Sequence, residues 1–149
     1  VIYELGLKEC FYAWKGSKAY MNGKEIRVST TPKVQDSLIA TGFPYTNFAY
    51  FDEFMRSVSY FMENSHGLRR LGSAATDIAY VACGRYDSFY EYGLKPWDVA
   101  AGALIVQQAG GKVSDFQGEE DYLFGGEVIA SNSSTWHEFQ EMIKKLMKP

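Results

Sequence analysis

An acid at the mouth of a helix is the first residue in this sequence with the makings of chemistry. Asp98 follows Pro96-Trp97 and opens a run of small and apolar residues that includes Val99, Ala100, Ala101, Ala103 and Leu104. The positive pole of a helix favours a carboxylate there, and the rigid element fixes where its oxygens go. Such hard oxygen ligands suit magnesium, which takes one or two protein carboxylates together with water and substrate phosphate. Plain capping competes with this role, since Asp is common in a first turn, and position alone favours the cap. A second feature is Arg70-Leu71-Gly72-Ser73-Ala74-Ala75. Glycine at a helix start leaves backbone N–H donors free to meet an oxygen-rich ligand. On its own this segment reads as a close-packed turn capped by Ser73. Glu91, seven residues before Asp98, ends an alternating stretch, where a solvated acid is the commoner case.

Other reactive types are placed without chemistry. His66 follows a helix end, and His137 has no acid at ligand spacing, so neither builds a metal triad. No Ser-centred nucleophile elbow occurs. Glu119-Glu120-Asp121 follows Gly118 in a polar loop and reads as a solvated turn. Cys10 and Cys83 stand far apart, outside any Cys-x-x-Cys, so reduced thiols in a cytoplasmic protein are expected.

The elements that must carry these residues follow from periodicity. Residues 1–28 read as antiparallel strands, with Asn22-Gly23 a type I′ hairpin signal. The chain opens Val1-Ile2-Tyr3-Glu4-Leu5, inside an apolar pattern, as a strand cut in its middle would. Residues 37–41 form a further short strand that ends with Thr41 before Gly42 and Pro44. Residues 48–64 have helical spacing, with Phe51, Phe54, Met55, Val58 and Phe61 on or near one face. Helices are also expected over 74–82 and 97–109, the second bounded by Pro96 and Gly110-Gly111. Strands are expected over 86–92, 112–116 and 128–131. A last helix begins near Thr135, where Thr135 and Glu138 are spaced for a capping box, and runs to the C-terminus. The expected class is an α/β layered sandwich, incomplete in this sequence, with 1–149 the C-terminal portion of one domain. Residues 1–45 would be part of an antiparallel sheet and 46–149 an α/β layer beside it.

Composition narrows the partners. With 46% hydrophobic and 22% charged residues over 149, the chain suits a globular protein with a substantial core. The 11 Tyr and 10 Phe predict an aromatic core. A net charge of -3 without a basic run excludes the concentrated cationic surface that nucleic acid demands. A phosphorylated substrate remains compatible, because a bound divalent cation can supply positive charge. No apolar run reaches membrane-spanning length, and no signal segment opens the chain.

Taken together, Trp97-Asp98-Val99-Ala100-Ala101-Gly102-Ala103 and Gln108-Ala109-Gly110-Gly111 resemble the C-terminal signature of the inositol monophosphatase family. Trp14-Lys15-Gly16, Ala19 and Asn22-Gly23 are similar to its strand-and-hairpin region. The resemblance implies a sugar-phosphatase-type fold and magnesium-dependent hydrolysis of inositol monophosphate. Fructose bisphosphate, a nucleotide 3′-phosphate or a non-catalytic interaction module are the alternatives. It implies that Asp98 is a catalytic metal ligand and that Glu91 hydrogen-bonds an inositol hydroxyl. It further implies that Gly72, Ser73, Ala74 and Ala75 contact substrate hydroxyls, and that Thr41 lines the site. A homodimer and a small phosphorylated polyol substrate are the implied partners. The family's Asp-Pro-x-Asp-Gly segment is absent, since the four prolines follow Thr31, Phe43, Lys95 and Lys148. These 149 residues alone are therefore expected to be inactive or nearly so.

Overall fold

The computed structural model describes residues 1–45 and 48–148. Residues 46 and 47, at the expected boundary between the two parts, lie outside the described residues. So does Pro149, the end of the expected last helix.

Four short strands, β1 (Ile2–Glu4), β2 (Glu9–Tyr12), β3 (Ala19–Met21) and β4 (Lys24–Ile26), form an antiparallel sheet in sequence order. Asn22 and Gly23 both take positive φ, 48° and 79°, as the expected hairpin turn requires. Ile2, Phe11 and Ala19 point inward and are buried. On the outer face Tyr12, Tyr20 and Trp14 stack, with ring centroids 5.4 and 6.0 Å apart.

The second sheet contains β5 (Leu38–Thr41), β6 (Gly67–Arg69), β7 (Ser88–Tyr92), β8 (Lys112–Ser114) and β9 (Glu127–Ser131) in the order β6-β5-β7-β9-β8. β5 runs parallel to β6 and β7, whereas β9 is antiparallel to β7 and β8. Two expectations change here. Residues 38–41, assigned to the antiparallel part, join this mixed sheet. β6 was not anticipated, because three residues carry too little pattern and its pairing is non-local.

The helices are α1 (Phe51–Asn64), α2 (Ala74–Ala82), α3 (Pro96–Gln108) and α4 (Trp136–Leu146). α2 and α3 fill the space between the sheets. There Ile78, Val81, Val99 and Val106 meet Phe11 from one side and Ala40, Phe89 and Val128 from the other. α1 and α4 cover the far face of the second sheet, where Phe54, Phe61, Phe139 and Ile143 pack on Ile39, Tyr90, Tyr92 and Ile129. The result is sheet, helices, sheet, helices, the layered α/β sandwich expected. Phe61, Tyr90 and Phe139 lie with centroids 5.3 to 6.0 Å apart and are fully buried. Truncating such a ring costs about 3–5 kcal/mol.

Local details depart from the sequence pattern. Phe51 and Met55 are largely exposed, and Ser57 instead occupies the buried stripe of α1, its hydroxyl 2.8 Å from that of Tyr90. The capping box at Thr135 does not form. Thr135 bonds Asn132 through both its N–H and its hydroxyl, and Glu138 accepts from the Val34 N–H at 2.9 Å. Among the described residues, no helix is long and apolar enough to cross a membrane.

Strand periodicity divides the side chains of β7 between the two helical layers. Tyr90 and Tyr92 point to α1 and α4, so Phe89 and Glu91 point to the α2–α3 layer.

Candidate active site

The starts of α2 and α3 and the C-terminal ends of β5 and β7 meet at a cleft of about 390 Å³. Its walls bring together Asp98, Glu91 and the 72–75 segment, with Phe43 and Tyr45 closing one side. Residues drawn from three separate stretches of sequence thus converge on one space.

Of its two expected roles, Asp98 shows the cap. Its Oδ2 accepts from the Lys95 N–H at 2.9 Å, tying down the first turn of α3, while the residue lines the cleft. Ser73 caps α2, its hydroxyl accepting from the Thr76 hydroxyl at 3.2 Å and the Thr76 N–H at 3.5 Å. Helix geometry leaves the Ala74 and Ala75 N–H groups without an intrahelical acceptor at the cleft wall. Gly72 takes φ +102°, a conformation that an L side chain rarely adopts. Beside it, the Arg70 guanidinium lies 5.3 Å from the Phe43 ring centre and donates to the Tyr45 hydroxyl at 2.5 Å. Arg70 therefore clasps the loop after β5 to the loop before α2.

Thr41 does not reach the cleft. It is fully buried on the α1 side of the sheet, and its hydroxyl donates to the Tyr90 carbonyl at 2.7 Å. The next residue, Gly42, has the cleft-facing position. A Cβ there would lie 2.2 Å from the Glu91 carboxyl carbon. Sequence reasoning missed three contributors: Gly42, the Arg70 clasp, and Asp77, a fully buried acid one turn along α2. Asp77 was legible in principle. It is the sole charge in the apolar run Ala74 to Ala82, and a helix apolar on all sides is buried with whatever acid it carries.

The family model for the inositol monophosphatase family matches residues 1–148. The chain belongs to the inositol monophosphatase family. It is 40% identical over 144 residues to a Nus factor SuhB of Pseudomonas aeruginosa, covering 95% of this chain and 53% of that protein. It is also 40% identical over 145 residues to an inositol-1-monophosphatase of Mesorhizobium japonicum, covering 97% and 54%. Among solved structures, an inositol monophosphatase from Anabaena superposes with a TM-score of 0.91 at 34% identity, over 97% of this chain and 59% of that one. The chain spans about half the length of the curated relatives it matches.

Within this member of the inositol monophosphatase family, the cleft carries unusual charge. Burial, followed by the Asp77 and Asp98 charges, pushes Glu91 up to about 8, with Arg70 pulling the other way. Burial pushes Asp77 up to about 7, against the downward pull of the Gly72 and Ser73 amides and Arg70. Two acids, Asp98 and Glu91, line the cleft itself, and Asp77 lies behind it in the buried face of α2. Yet no group of three His, Cys, Asp or Glu side chains converges as a metal cage among the described residues. Asp98 offers the cleft one carboxylate of the kind magnesium accepts, an ion that takes one or two protein carboxylates together with water and phosphate.

Proposed function

We propose that this chain is the polyol-recognising and metal-donating portion of a magnesium-dependent phosphomonoesterase acting on inositol monophosphate. The carrying observation is the convergence of Asp98, Glu91 and the 72–75 segment on one cleft. Asp98 would hold Mg2+ jointly with carboxylates of a longer chain. The ion would supply charge stabilisation to the phosphate and activate water. The residues of this chain do the rest. Glu91 accepts a hydrogen bond from a ring hydroxyl, and the Ala74 and Ala75 N–H groups donate to polyol oxygens. Phe43 and Tyr45 give that side of the cleft an aromatic wall. The short hard-ligand set makes these 149 residues alone inactive or nearly so.

The test is phosphate release from inositol monophosphate, fructose bisphosphate and a nucleotide 3′-phosphate. It compares these 149 residues with a longer chain that includes the upstream sequence. Magnesium-dependent turnover by the longer chain, fastest on the inositol ester, is expected. Turnover at a comparable rate by the 149 residues alone overturns the division of labour. Loss of selectivity for the inositol ester moves the assignment to a related sugar or nucleotide phosphatase.

A second reading is favoured by the name Nus factor carried by several relatives and by the incomplete metal cage among the described residues. In it the chain is a non-catalytic interaction module, and the longer chain releases no phosphate from any of the three esters. A homodimer is also proposed, to be checked by sedimentation of the longer chain. Free Cys10 and Cys83 are consistent with a reduced cytoplasmic setting.

A further inference from the structure

Beside the cleft lies a second hollow of about 520 Å³, and the two share Tyr92, Gly93 and Leu94. No side chain divides them at Gly93. Its φ of +81° suits glycine, and no atom lies within 4 Å of the place a Cβ would take. The second hollow has a lining of its own. Phe124 is 79% exposed, a bare ring at its wall. Tyr50 supplies another ring, which meets the Tyr92 ring edge-on at 5.9 Å. Glu127 is the register partner of Tyr92 on β9, so both side chains lie on the α1–α4 face of the sheet. Neither Glu127 nor the exposed Lys95 forms an ion pair among the described residues. The Tyr92 side chain is buried, and its hydroxyl has no hydrogen-bond partner among the described residues. Buried polar atoms are nearly always paired, so this one calls for a partner.

The chemistry of this lining selects among ligands. A phosphate chiefly accepts hydrogen bonds, and the Glu127 carboxylate repels it. An apolar group leaves Glu127, Lys95 and the Tyr92 hydroxyl unmatched. A sugar ring matches them all: its hydroxyls donate to Glu127 and accept from Lys95 and Tyr92, while its C–H faces cover Phe124 and Tyr50. We propose that the second hollow is a glycosyl subsite, so that the protein takes a phosphorylated polyol bearing a further sugar ring, which reaches it over Gly93. This inference rests on the reading of the cleft as a polyol-phosphate site and names the larger substrate class that the site admits.

The test uses inositol and galactinol, an inositol that bears one galactosyl ring, on the longer chain that includes the upstream sequence. Both are measured as competitive inhibitors of phosphate release from inositol monophosphate with magnesium, and as ligands through backbone amide NMR shifts. Galactinol is expected to bind about tenfold more tightly than inositol, the scale of one or two added hydrogen bonds. It should shift the Gly125 and Gly126 amides, which inositol leaves in place. Phe124→Ala and Glu127→Gln should each cut the galactinol advantage to about twofold. Phe124 is exposed and Gln keeps the volume of Glu127, so both variants should fold, which thermal unfolding checks. Equal binding of inositol and galactinol by wild type overturns the proposal. So does equal weakening of both ligands in the variants, which marks a merely structural role for the two residues. Shifts of the Gly125 and Gly126 amides by inorganic phosphate but not by galactinol also overturn it, and make the hollow an anion site. Failure of wild type to release phosphate overturns the polyol-phosphate reading instead, and the amide shifts with galactinol still decide whether the second hollow takes a sugar ring.

Discussion

Gly42 and Glu91 face each other across the β5–β7 pair so closely that the Glu91 carboxyl occupies the space a Gly42 side chain would fill. The parallel register places Thr41 against Tyr90, which brings the next residues, Gly42 and Glu91, to the cleft together. An added methyl would sit 2.2 Å from the carboxyl carbon and both its oxygens, so the carboxyl must swing away. Gly42→Ala is therefore expected to raise KM for the inositol ester by about tenfold or more in the longer chain, since small misplacements of binding groups cost up to about 100-fold. Steady-state kinetics check this. Unchanged KM would mean that Glu91 does not touch substrate.

Asp98 serves the helix and the cleft at once, and one substitution separates the two services. Asn keeps an oxygen for the Lys95 N–H but loses the charge that a cation needs. Asp98→Asn should lower magnesium-dependent turnover by about 100-fold or more, while stability falls by only about 1 kcal/mol, the scale of a charge at a helix N-terminus. Phosphate release and thermal unfolding measured on the same preparation distinguish these effects. Loss of turnover in step with loss of folding would make Asp98 a cap and nothing more.

The buried acids make stability fall as pH rises. Glu91 is pushed up to about 8 and Asp77 to about 7, both above their unfolded values near 4. Between the unfolded and folded values, the folded chain holds protons that the unfolded chain has released. Stability is therefore highest below about pH 4 as far as these two groups go, and drops until about pH 8. The loss is on the order of a few kcal/mol for each of the two groups. Glu91→Gln should flatten the slope and be the more stable protein at pH 8. Urea unfolding at pH 5, 6.5 and 8 without divalent cation tests this. A wild-type slope in the Gln variant would show that Glu91 titrates normally.

What the sequence displayed and what it hid divide along physical lines. Asp98, Pro96 and the glycines after α3 are local signals, each interpretable within one helical turn, and they hold in the structure. Glu91 was legible as a strand-end residue, but its burial was not, because the local pattern favours a solvated acid there. The choice between Thr41 and Gly42 was not, because it depends on which face of β5 meets α2 and α3. A slip of one residue exchanges every side chain between faces. β6 escaped because its parallel partner lies some thirty residues upstream, at Leu38 to Ala40. The capping box at Thr135 failed through competition: Asn132 and the Val34 N–H, the latter about a hundred residues away, took its partners. Asp77 was hidden by the usual expectation that acids lie outside, which the apolar character of its helix overrides.

Arg70 joins, through its side chain, two loops that share no backbone hydrogen bond among the described residues. Its guanidinium stands over Phe43 and Tyr45 and bonds the Tyr45 hydroxyl, yet the residue is exposed. Cation–π contacts at exposed sites contribute about 0.5–1 kcal/mol, so folding should barely notice the loss of Arg70. The cleft wall should notice it, since Phe43 and Tyr45 would no longer be held against the 72–75 segment. Lys keeps the charge but not the flat fork that stacks on both rings. Arg70→Lys and Arg70→Ala should both raise KM about threefold to tenfold with midpoints within about 2 °C of wild type. If Lys restores wild-type KM while Ala does not, the positive charge is what the cleft requires, and the aromatic clasp is incidental.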